Sequence, residues 1–248
     1  MPSRCLILAT YNGDYTQSER NARVVPVNNL KVVLDHIVRN TNANSWNKII
    51  VAVACESNPQ NVNKQYDEYL QSIDYPNVEV LRKQNDKWLS YSSYYEAYKK
   101  YPDYDTYYFF EDDYMPTDKL IQLVNNKLAK VDYIFGYINH KHPIEHASHA
   151  LCISKGSILK TVFQNYYVVM ASFNHAHQIA FYMMFKKYSQ FKSSDLSDTR
   201  CIIPFYRTKT NDIILYFGNW NQEIIIYPTQ YFYLNKKSYP NGRAYDFY

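Results

Sequence analysis

Glu111, Asp112 and Asp113 are three consecutive carboxylates set directly behind four large apolar residues, Tyr107-Tyr-Phe-Phe110. Carboxylates crowded this closely repel, so some must hold a proton or find a cation. An all-oxygen donor set suits Mg²⁺ or Mn²⁺. In an extended chain alternate side chains share a face, so Glu111 and Asp113 point one way and Asp112 the other. An apolar run of this length, closed by turn signals such as Pro116, predicts a buried strand. The acids then stand where a strand leaves the core, which in an open α/β sheet is where ligands bind. A blander role is to favour the positive end of a helix beginning at Asp118. That is worth about 0.3–1 kcal/mol and needs one acid, not three.

The elements that must position these acids alternate in type. Cys5-Leu-Ile-Leu-Ala-Thr10 reads as a first buried strand, and Leu30, Val33, Leu34, Ile37 and Val38 recur at helical spacing. Ile49 to Ala54 gives a second strand. Asn58 and Pro59 predict a helix cap and first helical residue, with Val62, Tyr66, Tyr69, Leu70 and Ile73 as the apolar stripe. Val78 to Arg82 is a third strand, Ser90 to Tyr101 a Tyr-rich helix, and 105–110 the strand that carries the acids. This β-α-β-α-β-α-β order predicts a mostly parallel sheet with helices on both faces. The second half is less regular. It predicts a helix from Asp118 to about Lys130 capped by Thr117, strands near 132–138 and 149–153, and a helix from Gly156 to Phe163. An apolar helix over 174–188 follows, then β structure over 201–206, 213–217 and 223–233. The expected architecture is a single α/β domain over 1–248 with an irregular, partly β C-terminal region. Residues 1–115 form its ligand-binding half and 116–248 its second half.

Composition narrows the function classes. A net charge of +4, with the basic residues scattered, gives no footprint for nucleic acid. Cys5, Cys55, Cys152 and Cys201 are far apart, show no CxxC pair and lie in or beside apolar runs. Buried free thiols are the expectation, rather than disulfides or a zinc site. No stretch approaches the roughly 18–20 apolar residues of a membrane span, and the first ten residues lack signal-peptide architecture. A soluble, cytoplasmic protein is expected. The 28 tyrosines fit the bias toward Asn, Ile, Lys and Tyr that an AT-rich genome imposes. Gly13 stands alone after the first strand in a chain with only 5 glycines, so no Gly-rich phosphate loop is present. That argues against a Rossmann dinucleotide enzyme, a P-loop NTPase and a sugar nucleotidylyltransferase.

Taken together, residues 5–130 resemble the nucleotide-sugar-binding half of GT-A class glycosyltransferases. Leu6-Ile-Leu-Ala-Thr-Tyr-Asn12 is similar to the first strand and loop of that class. The resemblance implies that Thr10, Tyr11 and Asn12 meet the nucleotide. Glu56 and Ser57 end the second strand, where the class often places an acid on the base or ribose. Glu111-Asp112-Asp113 resembles the acidic signature of the class, above all the Glu-Asp-Asp version of the N-acetylglucosaminyltransferase I family. That likeness implies a divalent cation, Mn²⁺ or Mg²⁺, on Asp113 with Glu111 toward the ribose or assisting, and Asp112 beside them. The chemistry it implies is sugar transfer from a nucleotide diphosphate, a UDP-sugar foremost, to a hydroxyl of a glycan or protein acceptor.

The remaining roles are less sharply written. Arg20, Arg23 and Arg82 could reach the phosphates, with surface or structural roles at least as well supported. His140, His142, His146 and His149 crowd one segment, for which a surface loop is the favoured reading over a zinc site. Inverting members of the class carry an acidic base near the start of a late helix. Here the matching segment, Phe173-Asn-His-Ala-His177, has no acid. His175 and His177 are the candidate bases, since imidazole titrates near neutrality. Asp195 and Asp198, in an expected loop over 193–198, are rivals, and a retaining mechanism needs no such base. Two other readings stay open: a GT-A-like nucleotide- or sugar-binding protein without turnover, and a metal-dependent phosphotransfer or hydrolase enzyme. Donor sugar, acceptor and oligomeric state are not written in the sequence.

Overall fold

The computed structural model describes residues 2–13, 27–40, 45–112, 116, 118–136, 138–139, 146–147, 151–172, 177–196, 205–207 and 213–215. In chain order these form β1 (Arg4–Asn12), α1 (Val27–Asn40), β2 (Lys48–Cys55), α2 (Lys64–Gln71), β3 (Val78–Gln84), α3 (Leu89–Lys100), β4 (Thr106–Glu111) and α4 (Asp118–Leu128). Beyond them come β5 (Tyr133–Phe135), β6 (Ile138–Asn139), β7 (His146–Ala147), β8 (Cys152–Lys155), α5 (Gly156–Val162), α6 (Tyr166–Ser172), α7 (His177–Lys186), β9 (Ser193–Asp195), β10 (Phe205–Arg207) and β11 (Ile213–Leu215).

Seven strands make one sheet in the order β3-β2-β1-β4-β8-β5-β9. The first four run parallel; β8 is antiparallel to both β4 and β5, and β9 is parallel to β5. Strands β1 and β2 are almost wholly apolar and buried, as a strand covered by helices on both faces must be. One set of β1 side chains, Leu6 and Leu8, packs with Leu30, Val33, Leu34 and Ile37 of α1 and with residues of α2 and α4. The other set, Cys5, Ile7 and Ala9, packs with α3, α5, α6 and α7. The result is a three-layer α/β/α domain, as the alternation of elements predicts.

The tyrosines have a use that coding bias does not express. Tyr94, Tyr107, Tyr133, Tyr166 and Tyr182 are fully buried in the second of these cores. Tyr94 lies 5.3 Å from Phe109 and Tyr133 5.0 Å from Phe185, ring centre to ring centre. Such pairs add about 0.5–1.5 kcal/mol beyond area burial.

Several boundaries differ from the sequence reading. Asn58 does cap a turn, its side chain accepting from the Gln60 N–H, but that turn is a single 3-10 turn over Pro59–Asn61. The chain restarts at Asn63, whose side chain accepts from the Tyr66 N–H at 3.1 Å and so caps α2. The expected loop over 193–198 begins instead as an edge strand, β9. Helix α6 is absent from the sequence expectation, because Tyr166-Tyr-Val-Val-Met170 carries β-formers that packing overrides. Of the expected C-terminal strands, β10 and β11 pair antiparallel, and 223–233 lies outside the described residues together with Thr117. Cys5, Cys55 and Cys152 are free thiols, and burial pushes Cys5 up to about 12. Among the described residues no helix is long and apolar enough to cross a membrane.

At the N-terminal end of the strands one carboxylate ties three elements. Glu79 of β3 receives Lys48 Nζ of β2 at 2.8 Å, Lys100 Nζ of α3 at 2.9 Å, and the hydroxyl of Tyr101. The Lys48 bond above all, then Tyr101 and Lys100, holds its carboxyl down to about 2. A depressed carboxylate contributes stability that is complete above its ordinary value near 4.5 and is lost as pH falls toward 2. With 31% of the side chain exposed, screening discounts the effect. Glu79→Gln is expected to cost about 1–2 kcal/mol in urea unfolding at pH 7 and almost nothing at pH 2.

Candidate functional site

The order β3-β2-β1-β4 places the topological switch between β1 and β4: the chain moves outward from β1 to β3, then returns to the other side of β1. Ligands of such sheets bind outside the carboxyl ends of the strands at that point. Here the two strand ends carry Thr10-Tyr11-Asn12 and Glu111-Asp112, with Ala9 opposite Glu111 in the parallel register. The Asp112 N–H donates to the Ala9 carbonyl at 3.1 Å, so the turn stays tied to β1 as the strand ends.

The two acids leave on opposite faces, as alternation requires. Glu111 turns to the α3 side, where it is hydrogen-bonded by Ser90 and lies close to Tyr91. Asp112 turns to the α2 side, where Thr10 Oγ1 donates to its Oδ2 at 2.6 Å. That hydroxyl has one proton and gives it to Asp112, so its contact with Tyr66 has the Tyr66 hydroxyl as donor. Burial, and the nearby Asp112 charge, keep Tyr66 protonated well above its ordinary range.

Burial also raises both acids. Asp112 is pushed up to about 7, with the Thr10 bond pulling down and Glu111 adding repulsion; Glu111 is raised against the pull of Ser90. Each residue is nonetheless partly exposed. Among the described residues neither acid has a Lys or Arg within ion-pair distance. Two carboxyls raised by burial at a strand end are the electrostatic signature of the site.

Beside them, across β1, lies a polar group of different make. Tyr11 donates its hydroxyl to Glu56 Oε1, and Asn85 Nδ2 donates to the same oxygen at 3.0 Å. The Tyr11 ring folds back over Gly13, where any Cβ would collide with it. The lone glycine after β1 leaves room for that ring. Asn12 is fully buried and structural: its Oδ1 accepts from the Asn63 N–H at 3.1 Å and its Nδ2 donates to Asp67 at 3.4 Å. Arg82 is engaged by Asp67 too, through Nη1 at 2.5 Å. The two therefore brace α2 against the sheet.

The other sequence candidates lie apart or outside. Asp113, His175, Arg20, Arg23, Asp198, His140, His142 and His149 fall outside the described residues, and of His146 only the backbone of β7 is described. His177 is the first residue of α7. Asp195 ends β9, level with Phe109 through the chain of registers Asp195–Phe135–Cys152–Phe109. Three strand spacings of about 4.8 Å put it about 14 Å from β4, too far to touch the acids. Sequence reasoning passed over Tyr66, Asn63, Ser90 and Asn85. Asn63 stands three residues before Tyr66 in a capping pattern, which was available as a signal. Tyr66 belongs to the apolar stripe of α2, and that pattern conceals its hydroxyl.

No protein-family model matches the chain, and no curated protein matches it in sequence. Among solved structures it is similar to a 4-diphosphocytidyl-2C-methyl-D-erythritol synthase from Anaerococcus prevotii, with TM-score 0.49, 12% identity, and coverage of 78% of this chain and 88% of that one. A cytidylyltransferase from Leptospira borgpetersenii gives TM-score 0.44 and 15% identity, covering 79% and 75%. A CMP:2-keto-3-deoxy-manno-octonic acid synthetase complexed with CTP gives 0.47 and 11%, covering 78% and 88%. At TM-scores below 0.5 these likenesses decide nothing about the chain, whose fold rests on its own topology.

Proposed function

We propose that this chain is a metal-dependent glycosyltransferase, moving a sugar from a nucleotide-diphosphate donor, a UDP-sugar foremost, to an acceptor hydroxyl. The observation that carries the reading is the placing of Glu111 and Asp112, both raised by burial, at the switch point between β1 and β4. A binding site for a group that bears positive charge relieves that cost, and raised carboxyls of this kind gather at functional sites. Alongside, Tyr11, Glu56 and Asn85 offer a ring face, a carboxylate and an amide to a nucleoside.

Among the described residues no three His, Cys, Asp or Glu side chains converge to hold a metal ion. The fit of Mn²⁺ or Mg²⁺ is therefore judged on Glu111, a hard oxygen donor whose ionised form burial penalises. It fits, and Asp113 with Glu111 would hold the ion. Asp112, tied to Thr10 on the opposite face, would not. When bound, the ion supplies Lewis-acid stabilisation to charge developing on the departing diphosphate. The chain's own contribution is to orient: Ser90 fixes Glu111, and Tyr11 and Glu56 set the nucleoside across β1. His175, His177 or Asp195 would accept the acceptor's hydroxyl proton, on a side formed by the second half of the chain.

A thermal-shift panel of UDP, GDP, CMP and CTP, each with Mn²⁺ or with EDTA, tests this. UDP at about 100 times its dissociation constant should add about 2.7 kcal/mol with Mn²⁺ and much less in EDTA. In a chain of this size that raises Tm by roughly 5–10 °C. Mn²⁺-dependent release of free sugar from a UDP-sugar should accompany it. Stabilisation by CTP alone, with pyrophosphate released when a sugar acid is added, would replace the proposal with nucleotidyl transfer. No response to any nucleotide would remove it.

A further inference from the structure

Among the described strands, β3 forms one edge of the seven-stranded sheet and carries no guard against pairing. Edge strands are usually protected by shortness, by proline, by bulges or by unpaired charge, Lys above all. The opposite edge, β9, is only three residues long. β3 has seven, Val78–Gln84, with no proline and an unbroken register against β2. Its charges are neutralised within the chain: Glu79 by Lys48 and Lys100, Arg82 by Asp67, and Lys83 by Asp86. Two bonds show which backbone groups face out. The Asn77 carbonyl accepts from the Ile49 N–H at 2.8 Å, and the Asn85 N–H donates to the Cys55 carbonyl at 2.7 Å. Alternate residues of a parallel strand face its neighbour, so Glu79, Leu81 and Lys83 also bond to β2. Val80, Arg82 and Gln84 turn their N–H and C=O groups outward, where no described strand meets them. The side chains of Val78, Val80 and Leu81 are only half-buried at that edge.

We propose that β3 pairs antiparallel with β3 of a second copy of this chain, about a two-fold axis at Leu81, to make one continuous sheet. That register uses the full length of the strand, and the strand is self-complementary in it. Glu79 stands opposite the partner's Lys83 on both sides of the axis, and Val80 stands opposite the partner's Arg82. Opposite charges across such a pair favour it, and like charges oppose it. Centring on Arg82 sets that guanidinium against its own copy. Centring on Val80 sets Lys83 against Asn77 and gives up the pairing with Glu79. In the Leu81 register the outward groups fall into step as well. Val80 exchanges both bonds with the partner's Arg82, and the Gln84 N–H reaches the partner's Val78 carbonyl. Glu79, Leu81 and Lys83 lie on the α3 face, where Lys100, the apolar core and Ser92 receive them. An open groove of about 420 Å³ on that face, lined by Leu81, Lys83, Glu96 and Lys99 among others, leaves room for the partner's Leu81. A second copy fits better than an unrelated peptide, because the strand complements its own reverse. Such a contact uses one patch twice and closes on itself, so it stops at a dimer.

The pairing is independent of metal and nucleotide, and neither enters its test. Sedimentation velocity over a concentration series of the whole chain should show monomer passing to dimer and nothing larger. Hydrogen exchange at the Val80, Arg82 and Gln84 amides should slow about tenfold or more from the dilute to the concentrated end, with Glu79 and Leu81 unchanged. Leu81→Cys places two thiols directly across the axis, within reach of a disulfide. In Val78→Cys the two stand roughly 20 Å apart, at about 3.3 Å per residue along the strand. Mild oxidation should therefore cross-link the first at least about tenfold faster than the second. Leu81→Lys sets like charges across the axis, and Val80→Pro removes an outward N–H without touching the bonds to β2. Each should weaken self-association about tenfold or more while circular dichroism stays that of the folded chain. Should either variant fail to fold, exchange in the wild type and the cross-linking pair still decide. A chain that stays monomeric at every concentration overturns the proposal, whether the edge then takes a peptide of another protein or a segment of its own. A dimer that survives both variants, or that cross-links through Val78→Cys as fast as through Leu81→Cys, overturns it too, because it is held by another face or another register.

Discussion

Glu111→Gln should lower Mn²⁺-dependent cleavage of the sugar donor by about 100-fold or more while leaving the metal-free protein more stable at pH 8. The first effect follows from removing a negative donor from a site whose work is to stabilise charge on a departing diphosphate; deleting one such interaction commonly costs 10²–10³ in rate, about 3–4 kcal/mol. The second follows from the sign of the shift. Burial raises the Glu111 carboxyl above its ordinary value. A group raised in this direction destabilises the folded chain as pH climbs past the unfolded value, because folding then opposes ionisation. Gln carries no charge to oppose, so its advantage should appear at pH 8 and vanish at pH 4. Adding Mn²⁺ should close the gap from the other side by stabilising the wild type and not the variant. Measured together by urea unfolding and a donor-cleavage assay, these signs separate a metal ligand from a structural acid. A Glu111→Gln protein that is both active and less stable would show that Glu111 serves the fold.

How far the site could be read from the sequence depends on which interactions are local. Tyr107-Tyr-Phe-Phe110 followed by acids specifies a buried strand with a polar end, and alternation along it foretells that Glu111 and Asp112 part company. The position of that strand beside β1 rather than beyond β3 is not legible, because right-handed crossovers allow either placement, with the connecting helix on opposite faces of the sheet. What no local pattern carries is a partner 56 positions away: Tyr66 reads as apolar until Thr10 is brought against it. The same holds for Asn12, whose type suggests ligand recognition and whose bonds to Asn63 and Asp67 make it a brace. A buried polar side chain must be satisfied by something, and the sequence does not say whether that something is a substrate or the next helix. Ser193-Ser-Asp195 misleads for the opposite reason. Its polar residues speak for a loop, and only pairing with β5 at the sheet edge makes them a strand.

Gly156→Ala should be the most damaging single methyl in the described part of the fold, and its signature should be the reverse of Glu111→Gln. Gly156 opens α5 directly after β8, and its N–H donates to the Asp105 carbonyl at 2.8 Å. A Cβ there would fall far inside contact distance of the Tyr104 carbonyl oxygen and reach Tyr107 Cε2 at 3.1 Å. The Tyr104 oxygen belongs to backbone, so it cannot swing aside as a side chain can. The backbone is further held where it is, because the Tyr107 hydroxyl accepts from the Tyr104 N–H at 3.1 Å and donates to the Tyr101 carbonyl at 2.6 Å. Relief must therefore come from separating β8 and α5 from the start of β4, in the middle of the sheet. Overpacking of this kind costs about 1–3 kcal/mol, and the rigid carbonyl puts this case at the upper end. For a chain of this length about 3 kcal/mol corresponds to a fall in Tm of roughly 6–12 °C. Gly156 meets the chain at Asp105, just before β4 and at the end opposite to Glu111, so the folded fraction should retain wild-type affinity for Mn²⁺ and nucleotide. Loss of binding in step with loss of stability would mean that the two ends of β4 move together, and that the site depends on the seating of β8 as well as on the acids.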